Sequence, residues 1–399
     1  MTRKVRTGAD ALVAEDFARL RGRRVGLVCN QTTVESIRMR HLADLLSDAE
    51  DVELVALFGP EHGVRGDAQD MDPVGHARDG LTGVPVHSLY GDGLDSLMPT
   101  RESLEGLDLL IVDMQDVGSR YYTFSATMAL CMKAAASAGI GVMVLDRPNP
   151  IGGALMEGPR VDADFRSFVG PYPAPARHGM TMGELALWYK DVDGVDCELE
   201  IVRMEGWRRS MSYEQTGLAW VHPSPNMPTV DTALVYPGMC LVEGTRLSEG
   251  RGTTRPFEQC GAPFIDPDKL VARLDGLAGT WGLFGASFRP CFFRPMFQKH
   301  AGEVCGGVFL HVRDPSSFRP WAMGVAFIEA VRDLWPSKLK WRTDPYEFVR
   351  DRLAIDLLMG SSAIREEWAS GRSALELVRL AEADTSEFAA QRSPYLLYD

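Results

Sequence analysis

Short apolar runs bounded by turn residues recur through the first half of the chain, and segments with helical periodicity lie between them. We interpret five runs as buried strands: Arg24–Cys29, Val52–Phe58, Val84–Tyr90, Leu107–Asp113 and Gly141–Asp146. Apolar residues recur at helical spacing in Ile37–Leu46 and in Tyr122–Ala138. Strands that alternate with helices in this way predict an α/β fold, a Rossmann-like parallel sheet with helices on both faces.

The first half also predicts where a ligand would bind. A further helix is expected at Met182–Lys190, because Thr181 suits the N-cap and Glu184 follows three residues later, and Glu198–Met204 alternates like an edge strand. Polar clusters follow the predicted strands, namely Asn30-Gln31-Thr32, Glu61-His62, Gln115-Asp116 and Asp146-Arg147. Open α/β sheets bind ligands at this edge, so we expect a cleft there. No GxGxxG follows the first strand, which argues against a dinucleotide cofactor.

The pattern changes near residue 222, where His222–Pro228 is a link broken by prolines. We therefore predict two domains, residues 1–222 with the parallel sheet and residues 223–399 with a smaller mixed α+β fold. Gly238–Phe257 is rich in glycine and polar residues, which predicts a long functional loop that reaches the cleft. The remaining predicted elements are strands at Ser287–Phe293 and Val304–Val312 and helices at Pro320–Trp335, Tyr346–Leu358, Ser361–Ala369 and Ala374–Gln391.

Composition narrows the classes of partner. The chain has 399 residues, and its 42 basic and 55 acidic residues give a formal net charge of −13, which disfavours nucleic acid and anionic membrane surfaces as partners. No segment approaches about 18 uninterrupted apolar residues, so no membrane insertion is expected. Seven cysteines without CxxC spacing indicate neither a disulfide framework nor a zinc ribbon. We expect a cytoplasmic protein as given, or an extracellular or periplasmic one if a leader was removed.

The segment Phe58–Asp67 concentrates chemistry at one strand end. Glu61 follows an apolar strand and Gly-Pro, and partial desolvation there suits a general acid. His62, Arg65 and Asp67 stand beside it, among glycines that let a ligand approach closely. Alternatively, these charges only satisfy each other. The run from His62 to His76 also contains Asp70 and Asp72, but its spacing fits no established metal motif, so we predict no metal.

Two further strand ends carry polar residues of the same kind. Gln115, Asp116 and Arg120 can hold sugar hydroxyls, and Tyr121 or Tyr122 can stack on a ring; alternatively, Asp116 only caps a helix. Asp146, Arg147 and Asn149 end the fifth strand at the ligand edge, although Asp146 can instead simply pair with Arg147.

The loop Glu243–Glu258 brings three carboxylates and three arginines together among glycines. Ordering such a loop costs conformational entropy, which is consistent with a loop that closes over a ligand. It can supply the second carboxylate of a hydrolase pair, as Glu243 or Glu249, while Arg251 and Arg255 clamp a substrate carboxylate. Alternatively, the loop is an ion-paired latch between domains.

Together these stretches resemble one family, the NamZ-type exo-β-N-acetylmuramidases. The resembling motifs run in order over nearly the whole chain: LFGPEHGVRGDAQD, PVHSLYG, VDMQDVGSRYYTF, VLDRPNPIGG, EGPRVD, ARHGMTMGELA, SPNMPT, LVYPGMCLVEGTRLSEGRGTTRPFE, AGEVCGGVFLHV and RSPYLLY. The resemblance implies a glycoside hydrolase that releases N-acetylmuramic acid from the non-reducing ends of peptidoglycan fragments, with the site between a Rossmann-like and a smaller domain. Two departures are Cys29 where threonine is more usual and Thr33 where glycine is, and many relatives carry a signal peptide that this chain lacks.

The resemblance also implies site residues. It makes Glu61 the leading catalytic residue, and to it we add His62, Asp116 and Glu249. Predicted substrate-binding residues are Arg65, Asp67, Gln115, Arg120, Tyr121, Asp146, Arg147, Asn149, Glu243, Arg251, Thr253 and Arg255. No cofactor is expected, because an N-acetylated sugar offers its own acetamido oxygen as nucleophile, and the lactyl carboxylate of muramic acid requires local arginines. A non-catalytic sugar-binding protein and a metal-dependent hydrolase are the alternatives.

Overall fold

The computed structural model describes residues 5–66, 77–91 and 93–399. Its first half alternates strands and helices as the apolar pattern predicts. The elements are α1 Gly8–Ala14, β1 Arg24–Cys29, α2 Leu42–Ser47, β2 Glu53–Gly59, β3 Ala77–Arg78, β4 Pro85–Ser88, β5 Leu109–Asp113, α3 Phe124–Ala138, β6 Gly141–Leu145, α4 Met182–Asp193 and β7 Leu199–Val202. The predicted N-cap of α4 is confirmed, because Thr181 and Glu184 form a reciprocal capping box.

The strands form one seven-stranded sheet in the order β3-β4-β2-β1-β5-β6-β7. Every pairing is parallel except that of the short β3, which runs antiparallel to β4. The strand order reverses between β1 and β5, so the carboxyl ends of these two strands flank the crevice where open α/β sheets hold ligands.

Side chains on neighbouring positions of a strand face opposite sides of this sheet, and each side is covered by helices. Leu109 and Ile111 of β5 belong to the apolar core that includes Leu12 of α1 and residues of α2. Leu110 and Val112 belong to the larger core that includes residues of α3 and α4. The prediction of a Rossmann-like sheet with helices on both faces is therefore confirmed.

The second half folds around a three-stranded antiparallel sheet in the order β8-β10-β9. Its elements, with the short α5 before it, are α5 Tyr213–Thr216, α6 Val230–Met239, β8 Gln259–Ala262, α7 Pro267–Trp281, β9 Ala286–Phe293, β10 Cys305–Val312, α8 Pro320–Leu334, α9 Ala354–Met359, α10 Ala363–Ala369 and α11 Leu375–Arg392. A smaller mixed α+β unit thus accompanies the parallel sheet. The chain end returns to the first sheet, where Tyr398 donates a hydrogen bond to Asp146 at 2.7 Å.

Two predicted helices begin later than expected, and each has a local cause. The helix predicted at Ile37–Leu46 is α2 instead, because the Glu35 carboxylate accepts the backbone N–H groups of Ile37 and Arg38 and holds a turn before it. The helix predicted at Tyr346–Leu358 is only α9. Its first residues form a tight reversal, with Glu347 at φ 44° and Phe348 at φ 68°.

The predicted long loop at Gly238–Phe257 is only partly a loop. Its first residues continue α6 and then a 3₁₀ turn at Cys240–Gly244. Gly238 is required by packing, because a Cβ atom there would lie 1.7 Å from the carbonyl oxygen of Pro320 at the start of α8. Over the described part of the chain, no helix is both long and apolar enough to cross a membrane.

Candidate active site

Glu61 occupies a tight turn at the carboxyl end of β2. The carbonyl oxygen of Pro60 accepts the Gly63 N–H at 3.0 Å, and both His62 and Gly63 have positive φ angles, 74° and 77°. A left-handed conformation at a non-glycine residue costs free energy and is concentrated at functional sites. The turn leaves Glu61 only 8% exposed, with Thr123, directly before α3, donating to its carboxylate at 3.3 Å.

Glu61 lies on the wall of a small cavity that we call the inner cavity. Residues from both halves of the chain line it: Glu61, His62, Tyr121–Phe124, Val169, Ser224, Asn226, Met227, Tyr236, Glu243, Arg251, Phe257, Tyr346 and Glu347. Most of these side chains are buried, so the inner cavity is a recess rather than an open groove.

Two buried polar side chains, Tyr122 and Asn226, belong to the walls of the inner cavity. Burial raises the pKa of Tyr122 well above its usual value, although a hydrogen bond with Ser224 acts in the opposite direction, so the hydroxyl stays protonated. Among the described residues, the side-chain amide nitrogen of Asn226 has no partner. Buried polar groups are normally satisfied, so Asn226 is a candidate donor to a bound sugar.

Glu243 is the second carboxylate of the inner cavity. It accepts from Arg251 Nη2 at 2.7 Å and from the Tyr346 hydroxyl at 2.7 Å. Burial raises the pKa of the Glu243 carboxyl, but Arg251 and the Tyr346 hydroxyl outweigh burial and leave that pKa below its ordinary value. Glu243 is therefore an anion at neutral pH, suited to stabilise positive charge and not to donate a proton.

A second and larger cavity, the outer cavity, adjoins the inner one. Glu243, Arg251, Tyr346 and Glu347 line both; the outer cavity adds Arg246, Glu249, Gln298, Lys299, Arg342 and Asp344. Glu249 is paired there with Lys299 at 2.8 Å and lies 3.7 Å from Arg251. The structure thus places Glu243, and not Glu249, on the wall shared with Glu61.

Comparison with known proteins places the chain in a family. The N-terminal model of the exo-β-N-acetylmuramidase NamZ family matches residues 25–231, and its C-terminal model matches residues 234–398. The chain belongs to the NamZ family. The resemblance recognised from the motifs is therefore confirmed.

Relatives of the chain cover it almost completely. The peptidoglycan β-N-acetylmuramidase NamZ of Bacillus subtilis strain 168 is 44% identical over 395 residues, which are 99% of this chain and 92% of the relative. A crystal structure of a DUF1343 family protein from Bacteroides fragilis has a TM-score of 0.87 at 36% identity and covers 99% of both chains. A second one has a TM-score of 0.76 at 31% identity and covers 100% of this chain and 99% of that one.

Several residues predicted for substrate binding in this NamZ-family chain lie elsewhere. Arg65 donates to both carboxylate oxygens of Asp79, at 2.9 and 2.8 Å, and to Asp44 at 2.8 Å. These hydrogen bonds, with that of Asp79 the largest cause, hold the pKa of Arg65 above its usual range. Both carboxylates that hold Arg65 lie outside the segment Phe58–Asp67, and Arg65 belongs to the walls of neither cavity. Asp67 lies outside the described residues, as do Asp70, Asp72 and His76.

Arg120 is a correction of the same kind. It is buried, and it donates to the carbonyl oxygens of Pro159, Ala174 and Leu358 at 2.8, 2.9 and 2.6 Å. Desolvation lowers the pKa of this guanidinium to about 10. Because Leu358 belongs to α9, Arg120 ties the parallel-sheet half to the second half instead of facing a sugar.

The residues after β5 and β6 also serve the fold. The Arg147 guanidinium donates to the Asp113 carboxylate with two nitrogen atoms, whereas from Arg147 the Asp146 carboxylate accepts only the backbone N–H, at 3.0 Å. Asp146 accepts from Thr181 at 2.7 Å and Gly183 N–H at 2.8 Å, and burial raises its pKa to about 6. Gln115 and Arg147 line a separate small cavity beside the β1–β5 crevice.

Three more predicted residues are held within loops. Asn149 bridges the Met180 carbonyl at 3.0 Å and the Ile151 N–H at 3.1 Å. Asp116 accepts the Gly118 N–H at 2.7 Å, while its other oxygen is buried without a partner among the described residues. Asp116 therefore orders the turn before α3 and does not line the inner cavity.

Four predicted residues remain. His62 and Tyr121 line the inner cavity, whereas Thr253 and Arg255 do not. The Tyr121 hydroxyl donates to the carbonyl oxygen of Pro237, which fixes its ring in the inner wall beside His62. Thr253 donates to the Gly250 carbonyl at 2.6 Å, and Arg255 lies 3.4 Å from Glu258 and is half exposed. Neither Thr253 nor Arg255 belongs to the walls of the two cavities.

A metal site does not form among the described residues, where no three His, Cys, Asp or Glu side chains cluster suitably. Most of the run from His62 to His76 lies outside those residues, so the prediction of a metal-free site stays a prediction. Sequence reasoning missed Asn226, Tyr346 and Glu347 as cavity residues. The motif SPNMPT, quoted for the family resemblance, was the available signal for Asn226.

Proposed function

We propose that this protein is a glycoside hydrolase that releases N-acetylmuramic acid from the non-reducing ends of peptidoglycan fragments. Membership of the NamZ family and near-complete coverage of a peptidoglycan β-N-acetylmuramidase support the reaction. The observation that carries it to these residues is the inner cavity, a recess that holds Glu61 and an ionised Glu243 on its walls. A recess closed by buried side chains admits a terminal sugar and excludes a continuous glycan.

Glu61 is the proton donor in this proposal. Cleavage of a glycosidic bond needs an acid at the leaving oxygen and stabilisation of an oxocarbenium-like centre. Glu243, held ionised by Arg251 and Tyr346, supplies the negative charge for that centre. The acetamido oxygen of the sugar attacks the anomeric carbon, and the side-chain amide of Asn226 orients the sugar for this attack. Water then opens the cyclic intermediate, with Glu61 now acting as base.

The proposal is tested with a synthetic β-linked N-acetylmuramide that carries a chromogenic aglycone. The wild-type protein should release the aglycone, and Glu61→Gln should lower kcat by about two to four orders of magnitude while keeping the same melting temperature. Glu53→Gln is the matched control, because Glu53 lies at the exposed amino end of the same strand. A folded Glu61→Gln protein with a normal rate would remove Glu61 from the mechanism, and binding without release would favour a sugar-binding protein.

A further inference from the structure

Arg342 lies on the wall of the outer cavity in a fixed position. Its backbone N–H donates to the carbonyl oxygen of Gly244 at 2.9 Å, and its Nη2 donates to the carbonyl oxygen of Pro345 at 3.3 Å. The guanidinium carbon lies 5.0 Å from the centre of the Tyr346 ring. Stacking on an aromatic face orients a guanidinium and leaves its edge free for a planar anion.

Arg342 differs from the other cations of the outer cavity. Arg251 is 2.7 Å from Glu243, Lys299 is 2.8 Å from Glu249, and Arg246 is 2.9 Å from Asp344. Among the described residues, no carboxylate lies within 4.0 Å of the Arg342 guanidinium, which makes its only side-chain hydrogen bond to a carbonyl. Its positive charge is therefore available to a ligand, whereas the charge of Arg251 is largely neutralised.

The outer cavity adjoins the inner one. Tyr346, on which Arg342 stacks, donates to Glu243 on the wall that the two cavities share. A ring substituent of a sugar whose glycosidic oxygen lies at Glu61 would reach Arg342 by passing Tyr346. Glu249 on these walls is already paired with Lys299, so an anionic substituent would be met by Arg342.

We infer that Arg342 binds a carboxylate carried by the sugar that is released, and so determines the preference for muramic acid over glucosamine. This inference rests on the proposed function. The carboxylate is either that of the lactyl group or that of a first amino acid attached to it, because both are planar anions on the same substituent. A two-pronged contact from a guanidinium to such an anion corresponds to about tenfold to a hundredfold in kcat/KM.

The test uses three β-glycosides with one common aglycone: N-acetylmuramide, N-acetylglucosaminide, and N-acetylmuramide whose lactyl carboxyl is joined to L-alanine. Arg342→Gln should lower kcat/KM for the carboxylate-bearing sugar by about tenfold to a hundredfold and leave that for the N-acetylglucosaminide unchanged. Arg342→Lys keeps the charge but loses the two-pronged guanidinium geometry. Its kcat/KM for the carboxylate-bearing sugar should lie between those of Arg342→Gln and wild type. Arg313→Gln is the matched control. It makes the same charge change at an exposed residue directly after β10, and it should keep the wild-type preference between the sugars.

The alanine arm identifies which carboxylate is bound. If the wild-type protein cleaves the alanyl sugar as slowly as the N-acetylglucosaminide, Arg342 binds the lactyl carboxylate. If it cleaves the alanyl sugar rapidly and Arg342→Gln abolishes that rate, Arg342 binds the carboxylate of the alanine. Equal losses on all three sugars, or an unchanged preference in Arg342→Gln, would overturn the role of Arg342. Absence of release from every sugar by the wild-type protein would instead refute the proposed function.

Discussion

Removing the hydroxyl of Tyr346 should move one limb of the pH–rate profile and not the other. In Tyr346→Phe the ring that supports Arg342 remains, but Glu243 loses a hydrogen bond of 2.7 Å. A hydrogen bond to a charged group contributes about 1.5–3 kcal/mol, and one pKa unit corresponds to about 1.4 kcal/mol. Because Arg251 still holds Glu243 at 2.7 Å, we take the lower end and expect the pKa of Glu243 to rise by about one unit.

The sign of the change follows from which form the hydroxyl stabilises. Tyr346 donates to the ionised carboxylate, so its loss favours the protonated form and raises the pKa. If catalysis needs the Glu243 anion, the acid limb of kcat/KM should move to higher pH by about one unit. The basic limb reports the proton donor Glu61 and should stay in place.

The assay is chromogenic release measured from acid to neutral pH, together with a melting curve at each pH. Tyr172→Phe is the matched control, because the Tyr172 hydroxyl donates to the Asp193 carboxylate at 2.7 Å and neither residue lines the two cavities. It should reduce stability by about 1–3 kcal/mol and leave both limbs unmoved. An unshifted acid limb in a folded Tyr346→Phe protein would refute the role given to Glu243, and a shift of the basic limb alone would reverse the roles of the two carboxylates.

Two further predictions concern metal ions and packing. Chelators should leave aglycone release intact, and loss of activity with EDTA that one divalent ion restores would contradict this. Gly238→Ala should lower the free energy of unfolding by about 1–3 kcal/mol or more, because the new Cβ would lie 1.7 Å from the Pro320 carbonyl oxygen. In contrast Gly276→Ala, a glycine of α7 with no neighbouring atom within 4 Å, should raise the melting temperature slightly, and similar melting curves for both would contradict the packing argument.

The sequence by itself determined the parallel sheet and the position of Glu61. An apolar run such as Arg24–Cys29 is stable as a strand that is buried on both faces of a sheet. The strands β1 and β5 therefore begin and end close to where the pattern predicts. Glu61 follows β2 directly after Gly-Pro, so its place at the strand end was readable from the sequence. Helix α7 was also readable, since Leu270, Leu274 and Leu277 follow Pro267 at helical spacing, but we did not predict it.

Only the tertiary structure decided which polar residues face the ligand. Arg65, Arg120, Arg147 and Arg251 look alike in the sequence, yet each is held by partners that are mostly distant along the chain, such as the Leu358 carbonyl for Arg120. An arginine can bind a substrate anion only where no carboxylate already neutralises it, and that depends on long-range neighbours.

The same reason explains the residues that the sequence left unnoticed. Tyr346 was expected in a helix, but the reversal at Glu347 and Phe348 turns it toward Glu243, which lies 103 positions earlier in the chain. Arg342 is useful to a ligand because Gly244 and Tyr346 hold it beside a cavity where the other cations are paired. Local sequence patterns determined the helices and strands, whereas charge pairing between distant elements determined which side chains can bind a ligand.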